Sequence, residues 1–284
     1  MRSGVRRDAY GCPRFGCTVI TNPERHAIRT VPERHPYFRL MHAISLKMRQ
    51  TRIVLFQKLL SYLPRPVRIL DVGGTEAYWE QVGIADESGV DITLLNIERM
   101  QVRRPHFKMV IGDGCDMSAF KDRQFDVVFS NAVIEHAGPY GRQKRMADEM
   151  RRVGKRYFLQ TPNFHFPVDP HTHFPYFQCY SIAARAFLLH HFNLGFFMHV
   201  RDSAQAMELA RSLRLLKKRE LVRLFPGATI VAQRILGIPA IFIVYAWPPY
   251  DHSGLALKPC FERFRMKAGK NGACPGFVKS RDDR

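Results

Sequence analysis

Between Val67 and Gln160 the apolar residues of this chain fall into five short bursts, each closed by small or polar residues. The first, VRILDV over Val67–Val72, lies between Pro64-Arg65-Pro66 and Gly73-Gly74. It is short, rich in branched residues and apolar on both faces, as a buried parallel strand requires. Ile92–Ile97 follows and ends around Asn96 and Glu98, and Phe107–Ile111 ends in Gly112-Asp113-Gly114. Phe125–Phe129 runs into Ser130-Asn131, and Arg156–Gln160 into Thr161-Pro162-Asn163. Five strands with polar tips on the same side predict an open α/β sheet whose ligand crevice lies at the carboxyl ends of the strands. Ahead of them, Phe56, Leu59, Leu60 and Leu63 share one helical face, which predicts a helix over His42–Leu63 that stops at the prolines. Behind them, Glu208–Phe225 has leucines near helical spacing, with room for a break, and Pro226-Gly227 ends it. Ala228–Leu236 and Ile238–Trp247, joined around Gly237, predict an antiparallel pair of strands.

The turn after the first strand is the most informative point. Gly73 and Gly74 allow positive φ and the approach of a ligand to a backbone without Cβ atoms. LDVGGTEAYW, the LLNIE strand tip, IGDGCDM, FDVVFSNAVIEH and RYFLQTPN together resemble, in order and spacing, the class I S-adenosylmethionine-dependent methyltransferases, small-molecule type. The likeness covers roughly Val67–Trp247. It implies a Rossmann-like seven-stranded, mostly parallel sheet with an antiparallel last strand, helices on both faces, and S-adenosyl-L-methionine across the first four strand tips. By the same resemblance Asp71, Gly73 and Gly74 form the loop under the methionine portion, and Asn96 or Glu98 holds the ribose. Asp113 meets the adenine amino group with Gly114 beside it, and Asn131 lines the pocket near the sulfonium. Asp71, Glu98 and Asp113 are then expected to face one common hollow. The chain departs from the family pattern at Thr75 and Ala77, where glycines are usual, and at Asn96, where a carboxylate is usual.

Acceptor chemistry is expected beyond the fourth and fifth strand tips. NAVIEHAGPYG (131–141) carries Glu135 and His136, and TPNFHFPVDPHTHFPYFQCY (161–180) carries His165, Asp169, His171 and His173 in a proline- and aromatic-rich loop over the site mouth. Methyl transfer is a direct displacement, so positioning supplies most of the acceleration, and a histidine near neutral pKa suits an acceptor that loses a proton. His136 and His171 are the catalytic candidates, with His173 beside the latter. No metal is expected, since closely spaced histidines in such a loop need not converge. The expected acceptor is small or medium-sized: a lipid, quinone, sugar or secondary-metabolite precursor. Two other classes stay open on the residues alone, a cofactor-degenerate scaffold of the same fold and another nucleotide-dependent α/β enzyme.

The formal charge of +19 calls nucleic acid to mind, but much of the excess sits at the ends. Met1–His35 has seven basic and three acidic residues, and Ser253–Arg284 has eight and three. The rest is spread without a stacking platform or a helix-turn-helix signature, so nucleic acid is not an expected partner and loose contact with anionic surfaces is the plainer use of the charge. Both ends lack periodicity, which predicts disordered basic tails (1–35 and 253–284) flanking one domain (36–252). No apolar run reaches a membrane span, the start is no secretory signal, and the location expected is cytoplasmic. The six cysteines, at 12, 17, 115, 179, 260 and 274, show no two-residue spacing and read as free thiols.

Overall fold

The computed structural model describes residues 36–247 apart from 196 and 198. The expected tails, and Cys12, Cys17, Cys260 and Cys274, lie outside the described residues. Helix α1 spans Pro36–Leu60, starting earlier than the leucine face shows and ending one turn sooner. Proline fits the first helical turn, where no backbone donor is needed, and Ser61–Leu63 close in a tight turn because the residue before Pro64 is disfavoured in helix.

Strand β1 (Val67–Val72) then opens the sheet, α2 (Glu76–Gln81) follows the glycine turn, and β2 (Val90–Asn96), β3 (Phe107–Ile111) and β4 (Val127–Asn131) come next. A 3-10 turn at Ile134–His136 leads into α3 (Tyr140–Val153) and β5 (Tyr157–Pro162). Another at Phe177–Cys179 precedes α4 (Ile182–His191) and α5 (Ser203–Ser212), and α6 (Lys218–Leu224), β6 (Thr229–Ile235) and β7 (Ile238–Ala246) complete the chain. The seven strands are ordered β3-β2-β1-β4-β5-β7-β6. β1 to β5 pair in parallel, and β7 lies antiparallel to both β5 and β6. This is the expected Rossmann-like sheet. Strands β4 and β5 sit one or two residues later than their apolar runs. Phe125 only bridges Gly154, while Asn131 still pairs with Gln160 and Pro162 with Ile241.

Alternation along the strands sends neighbouring residues to opposite faces. Val67, Ile69, Val127, Phe129 and Phe158 pack with Phe56, Leu60 and Trp79 in one core. Leu70, Val72, Val128 and Leu159 pack with Met146, Met150, Leu221 and Phe225 in the other. A third cluster joins α4 and α5 through Phe177, Leu189, Ala206 and Leu213. The leucine-rich stretch Glu208–Phe225 is therefore two helices, α5 and α6, with the break at 213–217. Helix α4 is an element the apolar pattern leaves unannounced: its exposed Ile182 and Phe187 blur the polar face a helix normally shows.

Candidate active site

The turn from β1 to α2 is built around Asp71. Its carboxyl is buried and accepts a 2.6 Å hydrogen bond from the Trp79 indole. Burial pushes it up to about 7, against the lowering effect of that bond. Gly73 takes φ 79°, a backbone state that glycine favours. Gly74 serves a different need: a Cβ there would fall 1.6 Å from Asp71 Oδ2. Thr75, at an expected glycine position, caps α2 by accepting from Tyr78 N at 3.2 Å.

At the tips of β1, β2 and β3 lies a small hollow, with room for little more than a water molecule. Gly73, Asn96, Asp113 and Gly114 line it, and Val133 and Ala137 close its far side. Asn96 is buried and its amide lies 3.5 Å from Gly74 O. Asp113 accepts from Cys115 N at 2.8 Å and pairs with Arg142 Nη2 at 2.6 Å. Arg142 Nε donates to Ala137 O at 3.1 Å, tying the β3 tip to the 3-10 turn.

Asp71, Glu98 and Asp113 do not meet in one hollow, contrary to the expectation. The Trp79 indole holds the Asp71 side chain inside the fold. Glu98 is exposed and follows the end of β2, where strand alternation no longer fixes direction. Asn131 is half-buried at the end of β4 and, with Gly74, stays off the lining.

The second half of the site is polar and buried. Ala132 takes φ 55°, turning the chain sharply after β4 into the 3-10 turn that carries Glu135 and His136. Gln143 pins that turn by donating to Ile134 O at 3.0 Å and to Arg214 O at 2.8 Å. Glu135 is fully buried: Oε2 accepts from Thr161 Oγ1 at 2.9 Å, and Oε1 has no hydrogen-bond partner. Its carboxyl is pushed up to about 7 by burial, with His171 pulling the other way. The loop after β5 brings His171 against the turn, with the His136 and His171 rings 4.8 Å apart, edge to face. His171 Nε2 lies 3.9 Å from Glu135 Oε1 and Nδ1 lies 3.6 Å from Asp169 Oδ1.

Burial, reinforced by His171, holds His136 down to about 3, so its imidazole is neutral near pH 7. Burial alone would lower His171 too, but the Asp169 and Glu135 carboxyls raise it. Asp169, also buried, orders the loop by accepting from the N–H groups of His171 and Thr172 and from Thr172 Oγ1, at 2.9, 2.8 and 3.0 Å. His165 is exposed and packs on Phe164, away from this cluster.

The 3-10 turn joins the two halves, since Val133 and Ala137 wall the strand-tip hollow while Glu135 and His136 between them face His171. Glu135 and Asp169 enter the site through this packing. Their signal in the sequence is an acidic residue next to a histidine in VIEH and one two residues before a histidine in DPHTH.

Residues 70–157, from within β1 to the start of β5, match the family model described as a methyltransferase domain. Over that segment the chain carries a methyltransferase domain. Its structure is similar to that of a putative methyltransferase from an antibiotic biosynthesis pathway of Anabaena variabilis, at 18% identity over 65% of this chain and 67% of that one, with a TM-score of 0.41. It is also similar to the 1,6-didemethyltoxoflavin-N1-methyltransferase of Burkholderia thailandensis, solved with 1,6-didemethyltoxoflavin and S-adenosylhomocysteine. There the identity is 15%, over 77% of this chain and 80% of that one, with a TM-score of 0.40. A SAM-dependent methyltransferase from Methanosarcina mazei is similar at 14% identity over 65% and 93% of the two chains, TM-score 0.39. Among the described residues of this methyltransferase no helix is long and apolar enough to cross a membrane.

Proposed function

We propose that this methyltransferase acts on a small or medium-sized acceptor (a lipid, quinone, sugar or secondary-metabolite precursor) whose reacting heteroatom is held at His136 and His171. The observation that carries this reading is the shared 3-10 turn, which borders the strand-tip hollow with Val133 and Ala137 and presents His136 to His171.

The lining of the hollow suits an adenosyl group in position and chemistry. Gly73 offers backbone without a Cβ, Asn96 offers both a donor and an acceptor, and Asp113 offers second lone pairs on oxygens already engaged by Cys115 and Arg142. Gly73, Asn96, Asp113 and Gly114 would hold the nucleoside end, and Asp71 and Gly74 would act by fixing the loop that Gly73 belongs to. Glu98, exposed just past β2, and Asn131, at the β4 tip, would contribute from the rim. When bound, the cofactor supplies an electrophilic methyl group on a sulfonium.

What the chain must add is orientation and the exclusion of water. Neutral His136 offers a ring nitrogen that accepts a hydrogen bond from the acceptor's O–H or N–H, its lowered pKa suiting it to positioning rather than to proton removal, and His171, set by Asp169, fixes the opposite side. The deep burial of Glu135 and Asp169 keeps the surroundings dry, which strengthens each of these contacts.

The test is His136→Ala, assayed with a labelled methyl donor on a metabolite extract and read by mass spectrometry. Turnover is expected to fall by about 100-fold or more, while affinity for S-adenosylhomocysteine, measured by calorimetry, stays within about twofold of native. Unchanged turnover would remove His136 from the reaction.

A further inference from the structure

We propose that Glu135, His136 and His171 bind a divalent transition-metal cation, Zn²⁺ being the best match to the donor set. One ligating atom from each residue lies within 4.8 Å of those of the other two. Two of the residues are neighbours on the 3-10 turn, and the third comes from the loop after β5, so the packing of two separate segments makes the cluster.

Several independent features point at the same spot. Glu135 Oε1 and His136 Nδ1 are both buried with no hydrogen-bond partner among the described residues. Such orphans are rare in folded proteins and call for a missing water or ion. Thr161 holds the other Glu135 oxygen, which leaves Oε1 turned toward His171 Nε2 at 3.9 Å, too long for a hydrogen bond. Two donors about 2.1 Å from one tetrahedral cation stand roughly 3.4 Å apart, so a shift of about half an ångström would bring this pair into a shared coordination sphere.

The outer contacts also have the right form. Metal-bound histidines commonly turn their second nitrogen to a carboxylate, and His171 Nδ1 faces Asp169 Oδ1 at 3.6 Å. Asp169 is itself fixed by the backbone N–H groups of His171 and Thr172 and by Thr172 Oγ1. Charge completes the case. In its charged form a fully buried carboxylate calls for a cation, and among the described residues Glu135 has no Lys or Arg ion pair, only His171. Two imidazoles and one carboxylate suit zinc and its transition-metal neighbours, whereas magnesium and calcium prefer all-oxygen sets. Three protein donors leave a coordination position open, the pattern of sites that bind a substrate rather than brace a fold. Resting on the function proposed above, that position would take a hydroxyl or carboxylate oxygen of the acceptor and hold it in place for methylation.

The test uses the full chain, stripped with a chelator and titrated with ZnCl₂ by calorimetry, with Co²⁺ visible absorption as a report on coordination. One equivalent is expected to bind at micromolar affinity or better, with a Co²⁺ spectrum of mixed nitrogen and oxygen ligation. His171→Ala and Glu135→Gln should each weaken it by roughly 100-fold, whereas exposed His165→Ala should leave it unchanged. Absence of Zn²⁺ binding by the folded native chain would overturn the proposal. So would binding that both cluster substitutions leave intact, or a thiolate-type Co²⁺ spectrum pointing to the cysteines. Because no methyl donor or acceptor enters these titrations, a failure here leaves the functional reading standing, and metal binding without turnover on any acceptor would count against that reading alone.

Discussion

Gly74→Ala separates two reasons for a glycine at this turn. Gly74 lies outside the positive-φ region, so alanine meets no backbone strain there, and the obstacle is the space already filled by Asp71. The added Cβ would stand 1.6 Å from Oδ2, 2.1 Å from Cγ and 2.6 Å from Oδ1 of that carboxyl. Asp71 cannot swing aside freely. Its Oδ2 holds the Trp79 indole at 2.6 Å, and Trp79 is wholly buried against Phe129 at 5.0 Å and Phe56 at 6.0 Å between ring centres. Either the carboxyl leaves its partner, or the backbone of the turn moves in a packed core. Either route costs about 1–3 kcal/mol, and the cheaper of the two sets the lost stability of the substitution. Denaturant unfolding followed by the fluorescence of Trp79 measures it, with Trp247 the second tryptophan of the chain. The control is the double-mutant cycle with Asp71→Ala: once the carboxyl is gone, Gly74→Ala should cost less by about 2 kcal/mol. A Gly74→Ala protein as stable as native, or strictly additive effects in the cycle, would refute the steric argument and leave ligand approach as the reason for the glycine.

The same carboxyl predicts a pH dependence. Between its ordinary pKa of about 4 and the folded value of about 7, the folded chain keeps a proton that the unfolded chain has lost, so this group's contribution to stability declines as pH rises through that window. Asp71→Asn has no such proton to lose, and its stability relative to native should improve by on the order of 3 kcal/mol between about pH 5 and about pH 8, measured by urea unfolding. A difference that does not move with pH sinks the assignment. Gly195→Ala should disturb the site from outside it, because Gly195 sits at φ 55° and a Cβ would lie 2.5 Å from His171 O. The expected cost is about 3 kcal/mol in thermal or chemical unfolding, with turnover reduced and S-adenosylhomocysteine affinity kept; native-like stability would contradict it.

Much of this fold can be read directly from the chain, because strand signals are local. Val67–Val72, Phe107–Ile111 and the pair around Gly237 each carry their own apolar residues and their own stop residues, and burial on both sheet faces accounts for the nearly unbroken apolar run of Val67–Val72. The glycine turn, the polar strand tips and the family likeness follow from the same local order. Helix α4 escapes that reading because its exposed Ile182 and Phe187 carry no polar stripe. What the chain alone leaves open is direction and meeting. Whether Asp71 faces a ligand or Trp79 depends on a core assembled from α1, β4 and β5, and whether Glu98 follows the face of Asn96 depends on where β2 ends. The contact of Glu135 and His136 with His171 is likewise set by the loop that Asp169 folds back over the β4 tip. Periodicity records which face of an element is buried, and only the packed tertiary structure decides which two faces close on each other.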